Sequence, residues 1–484
     1  MDADDAGRVI YRWRYFLVFL FALYLVFCAF IADLYDPETH LRFAPNNYSG
    51  EAYKRRDEHP AAEYFRQFNA KYAVTTHATG HSVPIPPPVT HPESVDCAHA
   101  NTGSFRGLMW KLDVYAVYWD SRHSKSEFLR VITLEYDPSA AEDLQMYCRF
   151  NVENDPWEID SARYLPAHDT TDNTAAASGG RLLSCKVPAW AQGSSGTERP
   201  CSVRLAPTKP LRLTTADFKI IDTAPLTSRR DFTVCVPPLY GDIPQAHIME
   251  FMELTSLLGA DHVTFYDYDM SAQALRLVRY YARINRATLL TWKPKFDVNE
   301  SIWNIGVKAA MNDCLYRNMA LSRYVVFMDL NEYIVPYLWT SWHGIVQDLD
   351  TKNTCAFTFD GAFFDPNFQD RAVDVGGDVT NRTLSNTWRT WTTSRQFARS
   401  IVKPQKIFKA GSSGYDWPFE EGCRVQAIGY PDALTHHHQV CPAAANMKCY
   451  DMVSDDVIPH RYSSVLERQY RKRWSGFSRY QGEL

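Results

Sequence analysis

The chain has 484 residues and a formal net charge of -5 at pH 7. At roughly 150 residues per domain, this length predicts two or three domains rather than one ordinary core. The small negative charge, with no obvious stripe of Lys and Arg, argues against a general nucleic-acid-binding protein, because such proteins concentrate positive charge on one face.

The first predicted element is an uninterrupted apolar run, YFLVFLFALYLVFCAFIA, at residues 15–32. A helix of about 18 apolar residues can span a thin bilayer. Arginines precede the run and acidic residues follow it, so the positive-inside rule predicts a cytosolic tail at residues 1–14 and a body across the membrane. A cleaved signal peptide is the alternative, but the run is long for one and no clear A-x-A site follows. The sequence therefore favours a signal anchor of type II topology.

Residues 33–95 are predicted to form a stem, because the segment HSVPIPPPVTHP favours extended polyproline geometry. Two further features agree with a lumenal body. Asn47, Asn299 and Asn381 each begin an N-x-S/T triplet, the acceptor pattern for glycosylation. Of the 11 cysteines, Cys28 lies in the anchor, and an even number remains. That number is compatible with full disulfide pairing, although the connectivity does not follow from the sequence.

Two regions that differ in composition and in predicted secondary structure follow the stem. Residues 96–228 predict a small β-rich domain, because LDVYAVYWDSR and FLRVITLEY are rich in Val, Ile and Tyr. In residues 229–475 short strands alternate with helical segments, as in DFTVCVPPLYG, AHIMEFMELTSLLG, HVTFYDYD and SAQALRLVRYYAR. This alternation predicts a parallel, doubly wound sheet whose ligand site lies beyond the carboxyl ends of the strands. Residues 476–484 are predicted to form a short C-terminal tail.

The segment YVVFMDLNEYIVP places oxygen-bearing side chains after a run of buried-strand residues. Residues two apart face the same side of an extended segment, so Asp329 and Asn331 can offer oxygens to one ion while Leu330 points into the fold. Mg²⁺ and Mn²⁺ take oxygen ligands and often complete their shell with phosphates. The alternative is an ordinary turn after a strand, which Asp and Asn also favour.

Two further residues are candidate nucleotide contacts. Asp267 follows the second strand of a Rossmann-like half, the position of the acidic residue that contacts a ribose hydroxyl in dinucleotide folds. An exposed loop acid is the alternative. Lys403 in IVKPQKIF could pair with a diphosphate, and a lysine at a strand edge is the ordinary explanation for it.

The body resembles glycosyltransferase family 92 from roughly Leu112 to Trp474. The motifs that carry the resemblance occur in the family's order: VYAVYWDSR, VCVPPLYG, LLGADHVTFYDYD, NDCLYRN, VVFMDLNEYIVP and ALTHHHQVC. The resemblance implies an α/β, A-type nucleotide-sugar glycosyltransferase fold, Rossmann-like, preceded by the small β-rich domain and the N-terminal transmembrane helix. It also implies a Golgi enzyme that transfers galactose from UDP-galactose, with inversion, to a terminal fucose or galactose of an N-glycan on a glycoprotein.

The resemblance also implies site residues. Asp329, Asn331 and His437 are the expected ligands of Mn²⁺ or Mg²⁺, and Asp329 is expected to lie at the nucleotide. The chain departs from the family twice. The family usually has a second Asp where Asn331 stands, and its H-Y-R segment is replaced here by His437, His438 and Gln439. Both changes remove a charged group from the expected site.

An inverting transferase needs a carboxylate to accept the proton of the acceptor hydroxyl. The candidates follow the metal motif in TFDGAFFDP and YDWPFEEG, and they are Asp360, Asp365, Asp416, Glu420 and Glu421. Trp417 and Phe419 could stack on an acceptor sugar beside the last two. An exposed acidic turn is the alternative for each of these residues.

Two other functions remain open at this point. One is a catalytically weak or inactive lumenal glycan-binding relative of the same fold, which the two departures favour. The other is a membrane-anchored glycoside hydrolase, which also needs paired carboxylates but no metal and diphosphate site.

Overall fold

The computed structural model describes thirteen stretches of the chain, all within a compact unit from Tyr72 to Leu484. They are residues 106–109, 112–122, 127–135, 147–151, 162–163, 180–187, 199–206, 217–294, 300–368, 382–411, 417–418, 423–442 and 447–482. The predicted cytosolic tail at residues 1–14, the anchor, the stem, the three sequon asparagines, and Asp416, Glu420 and Glu421 lie outside these residues. Within the described stretches, no helix combines the length and apolar character needed to cross a membrane.

The first sheet is built from eight strands and is almost entirely antiparallel. The strands are β1 (Arg106–Met109), β2 (Leu112–Asp120), β3 (Phe128–Glu135), β4 (Tyr147–Asn151), β5 (Ala162–Arg163), β6 (Gly180–Lys186), β7 (Ser202–Ala206) and β8 (Asp217–Asp222). Their order is β5-β4-β7-β8-β2-β3-β6, with β1 also paired to β2. Only the pair β2 and β8 is parallel among these strands.

The central strand β2 is buried on both faces. Val114, Val117 and Trp119 join the core within the sheet, whereas Tyr115, Ala116 and Tyr118 pack against the rest of the protein. The register of β2 on β3 shifts between Val114 and Ala116. A bulge of this kind turns two consecutive side chains to one face. One face of this sheet is therefore committed to contacts with the α/β part of the chain.

The second sheet has ten strands and six helices accompany it in the described residues. The strands are β9 (Arg230–Cys235), β10 (Leu239–Gly241), β11 (His262–Met270), β12 (Ala287–Thr291), β13 (Ser322–Phe327), β14 (Glu332–Pro336), β15 (Thr354–Phe363), β17 (Ser394–Val402), β20 (Arg424–Ile428) and β21 (Ala433–His437). The helices are α1 (Gln245–Leu258), α2 (Ala272–Arg283), α3 (Glu300–Asn318), α4 (Trp342–Leu349), α5 (Arg382–Ser385) and α6 (Val457–Gly482). Two small ribbons pair β16 (Trp388–Thr390) with β22 (Met452–Ser454), and β18 (Ile407–Lys409) with β19 (Trp417–Pro418).

The second sheet is mixed, not wholly parallel as the alternation of elements predicts. Strands β12, β11, β9 and β13 are parallel neighbours, and this is the 3-2-1-4 order of a dinucleotide-binding half. Beyond β13 the order continues as β17-β15-β21-β14, with β17 and β14 antiparallel to their neighbours. Only residues 328–331 separate β13 from β14. A strand that returns parallel to the one before it needs a crossover of about a dozen residues. The four-residue link is too short for this, so β14 cannot run parallel to β13.

The strand order creates a switch point between β9 and β13, which are neighbours although three strands separate them along the chain. Ligands of open α/β sheets bind at the carboxyl edge beside such a point. Residues 328–331 leave β13 at this edge. Strands β15 and β21 are parallel to each other, with Phe363 beside His437 at their carboxyl ends. The fold thus brings the ends of several strands to one candidate site.

Eight of the described cysteines pair with one another within this framework. The pairs are Cys148–Cys185, Cys235–Cys314, Cys355–Cys423 and Cys441–Cys449. The second pair links β9 to α3 behind the switch point, and both of its residues are fully buried.

Candidate functional site

The turn between β13 and β14 is closed by its own polar groups. One carboxylate oxygen of Asp329 accepts a hydrogen bond from the Leu330 N–H at 2.7 Å. The Glu332 N–H donates to the Asp329 carbonyl at 3.1 Å, and the Asp329 N–H donates to the Glu332 carboxylate at 2.9 Å. Leu330 is buried, while Asp329 and Asn331 are only partly buried. The turn therefore presents two oxygen-bearing side chains on either side of an apolar anchor.

Residues of two other strands, β17 and β21, hold Glu332 in place. The guanidinium of Arg399, on β17, contacts both carboxylate oxygens at 2.5 Å. His437, on β21, places Nδ1 3.1 Å from the same carboxylate. Burial alone would raise the pKa of Glu332, but Arg399 and His437 more than offset it and hold this pKa well below its usual range. Glu332 is therefore an ionised carboxylate whose charge is balanced within the protein.

Asp329 has the opposite electrostatic environment. Burial and the negative charge of Glu332 raise the pKa of Asp329 to about 6, although the Leu330 N–H, Arg399 and His437 act in the other direction. A carboxylate with a raised pKa lacks sufficient compensating positive charge. A cation beside Asp329 would supply that charge.

Asn331 completes the donor set of the turn. Its side-chain N–H₂ donates to the Gln439 side-chain oxygen at 2.7 Å, and its backbone carbonyl accepts from the His438 N–H at 2.8 Å. With the amide nitrogen used in this way, the side-chain oxygen is the group that can ligate a cation. Asp329 and Asn331 together fit Mn²⁺ or Mg²⁺, which commonly use one or two carboxylates and take further oxygens from water or phosphate.

His437 does not face an open ligand position. Its side chain is 1% exposed, with Nδ1 beside Glu332 and Nε2 2.7 Å from the Phe397 carbonyl oxygen. The ring also stacks on Phe363. Over the described residues, no group of three or more His, Cys, Asp and Glu side chains could hold a metal ion. His437 is thus placed as a neighbour of Glu332, and Asp329 and Asn331 remain as the candidate metal ligands among the residues that the structure describes.

The remaining sequence candidates fall at different edges of the sheet. Asp267 lies at the carboxyl end of β11, where it accepts from the Met270 N–H at 3.0 Å and has Lys293 3.9 Å away. Lys403 follows the last residue of β17 and lies at the opposite edge, because its N–H donates to the carbonyl of Cys355 near the start of β15. Its amine pairs with Asp350. The structure does not bring Lys403 to Asp329, so this lysine has no part in the function proposed below.

Two base candidates, Asp360 and Asp365, lie within the described residues, and of these only Asp360 has a partly exposed side chain. Its side chain is 22% exposed, and Arg395 lies 3.7 Å away. Burial raises the pKa of Asp360 even though Arg395 acts to lower it. Asp365 is buried and accepts from the backbone N–H groups of Asn367 and Cys441, which makes it a structural residue of the loop.

Arg399 is the main site residue that sequence reasoning missed. It lies in SRQFARSIV, where one arginine stands next to a buried Ser-Ile-Val run. The available sequence signal for Arg399 is a charged residue inside a predicted strand. Its partner Glu332, however, is 67 positions away in the chain, and only the strand order reveals the pair.

Comparisons with known proteins agree on a class of enzyme. Residues aligned to the β-1,4-galactosyltransferase galt-1 of Caenorhabditis elegans are 25% identical over 210 positions, 42% of this chain and 46% of that protein. A second C. elegans relative, glycosyltransferase family 92 protein F13G3.3, is 24% identical over 25% of each chain. The chain therefore spans less than half the length of these curated relatives.

One solved structure and one family model complete the comparison. The glucosyl-3-phosphoglycerate synthase of Mycobacterium tuberculosis, crystallised with Mn²⁺, UDP and glucosyl-3-phosphoglycerate, is 11% identical with a TM-score of 0.25, covering 51% of this chain and 80% of that one. That score indicates a distant likeness only. The model of glycosyltransferase family 92 matches residues 230–472, half of the chain, which confirms the resemblance, and the protein belongs to glycosyltransferase family 92.

Proposed function

We propose that the protein transfers a hexose from a nucleotide sugar, galactose from UDP-galactose as the leading choice, to a terminal fucose or galactose of a glycan, with inversion. The main support for this proposal is the carboxylate of Asp329, which lies at the switch point of the sheet and has a pKa raised to about 6. Family membership supports the class of reaction. The 3-2-1-4 strand order supports an A-type nucleotide-sugar transferase fold.

Each residue of the site has a different role in the proposed mechanism. Asp329 and Asn331 would hold Mn²⁺ or Mg²⁺ against the diphosphate, where the ion would neutralise the charge that develops on the leaving group. Asp267, at the end of β11, would contact the nucleoside. An acceptor hydroxyl attacks the anomeric carbon from the face opposite the diphosphate, so the configuration inverts as the bond from that carbon to the diphosphate oxygen breaks.

The proton of the attacking hydroxyl needs a carboxylate acceptor. Asp360 is our choice among the described residues, because burial raises its pKa and thus its basicity. Glu420 and Glu421 remain candidates on their position in the sequence. With the apolar run at residues 15–32 as anchor, we place the reaction on the lumenal side of the Golgi membrane, where glycoprotein acceptors are exposed.

The affinity of this site for a metal ion is expected to depend on pH around the pKa of Asp329. Its folded pKa of about 6 lies above the ordinary value of 3.8, so the folded protein holds a proton that the unfolded chain has lost between these values. Asp329 alone therefore makes folding less favourable as the pH rises through this window. A bound cation would offset that cost. Mn²⁺ should raise the melting temperature more at about pH 7.5 than at about pH 5, as measured by thermal unfolding in paired samples.

The proposed function is tested by titrating UDP into the protein with and without Mn²⁺ while following hydrolysis of UDP-galactose. Binding that tightens with Mn²⁺, together with slow hydrolysis, is the expected result. It would justify a screen of fucose- and galactose-terminated acceptors. A folded protein that binds UDP under neither condition would refute the donor assignment.

A catalytically inactive glycan-binding relative is the second candidate. Asn331 favours it, because an amide in place of a carboxylate leaves one ionisable ligand in the turn. Such a protein would bind UDP without a gain from Mn²⁺ and would release no galactose. The same titration therefore separates the two functions.

A further inference from the structure

We propose that Arg399 and Glu332 form a positioning pair that fixes the backbone of Asp329 for cation binding. The proposal rests on the proposed function and assigns Glu332 a role other than ligand. Glu332 directly follows the candidate ligands in DLNE, so its place in the sequence would equally suit a third oxygen donor. Its contacts exclude that role.

The carboxylate of Glu332 is fully engaged. One oxygen accepts from Arg399 Nε and from the Asp329 N–H. The other accepts from Arg399 Nη2 and lies 3.1 Å from His437 Nδ1. A two-pronged contact of this type fixes both distance and plane. The Glu332 side chain is also 4% exposed, which leaves little room for a cation to reach it.

The pair acts on Asp329 through the backbone. The Asp329 N–H donates to the Glu332 carboxylate, and the Glu332 N–H donates to the Asp329 carbonyl. These two hydrogen bonds close the turn as a ring. If the carboxylate moved, the Asp329 N–H would lose its acceptor, and the direction of the Asp329 side chain would no longer be fixed.

Three strands are held close together to make this arrangement possible. His437 Nε2 reaches the Phe397 carbonyl oxygen at 2.7 Å, which links β21 to β17 behind the pair. Between them runs β15, where a Cβ atom on Gly361 would lie 2.5 Å from the Phe397 oxygen and 2.7 Å from His437 Nε2. The absence of a side chain at Gly361 therefore allows the strands to bring Arg399, Glu332 and His437 together.

The test uses Glu332→Gln, Arg399→Gln, the double variant and Arg399→Lys in the full chain. Amide hydrogen exchange at Asp329 and the gain in UDP affinity from Mn²⁺ are measured for each. Both single variants should speed exchange at Asp329 by roughly tenfold or more and lower the Mn²⁺-dependent gain by a similar factor. The double variant should be little worse than either, because the two residues act as one unit. Arg399→Lys, which keeps the charge, should recover part of the loss.

A matched control is available at the contact between helices α1 and α6. Arg473 on α6 pairs with Glu253 on α1 at 2.9 Å, with side-chain exposures of 24% and 5%, against 24% and 4% for Arg399 and Glu332. Arg473→Gln and Glu253→Gln should cost comparable stability, yet leave exchange at Asp329 and the effect of Mn²⁺ unchanged. General destabilisation is thereby separated from positioning.

The outcomes also separate this proposal from the proposed function. Unchanged exchange at Asp329 in both single variants would overturn the pair, whether or not the protein binds UDP. Weaker UDP binding in Arg399→Gln, with normal binding in Glu332→Gln, would overturn it as well and indicate a direct contact between Arg399 and the nucleotide. Failure of the unaltered protein to bind UDP would refute the proposed function, while faster exchange in both variants would still support the pair.

Discussion

Asp329→Asn is expected to reduce Mn²⁺-dependent UDP binding and turnover by on the order of 100-fold, without loss of the fold. Asparagine keeps the side-chain oxygen that accepts from the Leu330 N–H, so the turn can still close. It removes the negative charge that would attract the cation. Because Asn331 is already an amide, this variant would leave the turn without an ionisable ligand, and the loss should exceed that of a typical surface charge.

The measurement is a titration of UDP with and without Mn²⁺ at a pH well above the pKa of Asp329, together with UDP-galactose hydrolysis. Asp350→Asn is a suitable control, because Asp350 pairs with Lys403 at the opposite edge of the sheet. That variant should bind UDP as the unaltered protein does. An Asp329→Asn protein with an undiminished response to Mn²⁺ would remove the cation from this turn and with it the main support for the proposed mechanism.

The local part of this site could be predicted from sequence. The pattern Asp-Leu-Asn after an apolar strand predicts that Leu330 is buried between two more exposed polar residues, and it is, but residues 329–332 form a hydrogen-bonded turn and not the extended segment that this prediction assumes. The alternation of strands and helices likewise predicts the edge at which Asp267 and Asp329 emerge. These features depend on residues that are neighbours in the chain.

The contacts between strands could not be predicted in the same way. Asn331 meets Gln439 across 108 positions, and Glu332 meets Arg399 across 67. Such contacts depend on the order β13-β17-β15-β21-β14, for which hydrophobic periodicity carries no information. Without that order, the sequence predicts His437 as a metal ligand, whereas the structure places its ring between the Glu332 carboxylate and the Phe397 carbonyl.

The largest effect on stability is expected from Asp313→Ala, at the contact between the two sheets. Asp313 on α3 is fully buried and accepts from Tyr118 OH of β2 at 2.5 Å and from Tyr266 OH of β11 at 2.7 Å. Arg317, one turn later on α3, donates to the same carboxylate at 3.0 and 3.1 Å. One carboxylate therefore joins the first sheet, the second sheet and the helix between them.

Asp313→Ala would remove the carboxylate that accepts from Arg317 and Tyr266, and it would leave the Tyr118 hydroxyl with the longer contact to the backbone carbonyl of residue 313 at 3.3 Å. Removing one partner of a buried ion pair costs about 3–5 kcal/mol of unfolding free energy, whereas Tyr118→Phe deletes one donor and should cost only about 1 kcal/mol. Urea unfolding of the full chain, followed by circular dichroism, measures both changes.

Because Asp313 joins the sheets, Asp313→Ala should also split unfolding into two transitions, the first sheet separating before the second unfolds. A single transition with a loss no larger than that of Tyr118→Phe would mean that apolar packing between Tyr115, Tyr118 and α3 holds the sheets together without the carboxylate.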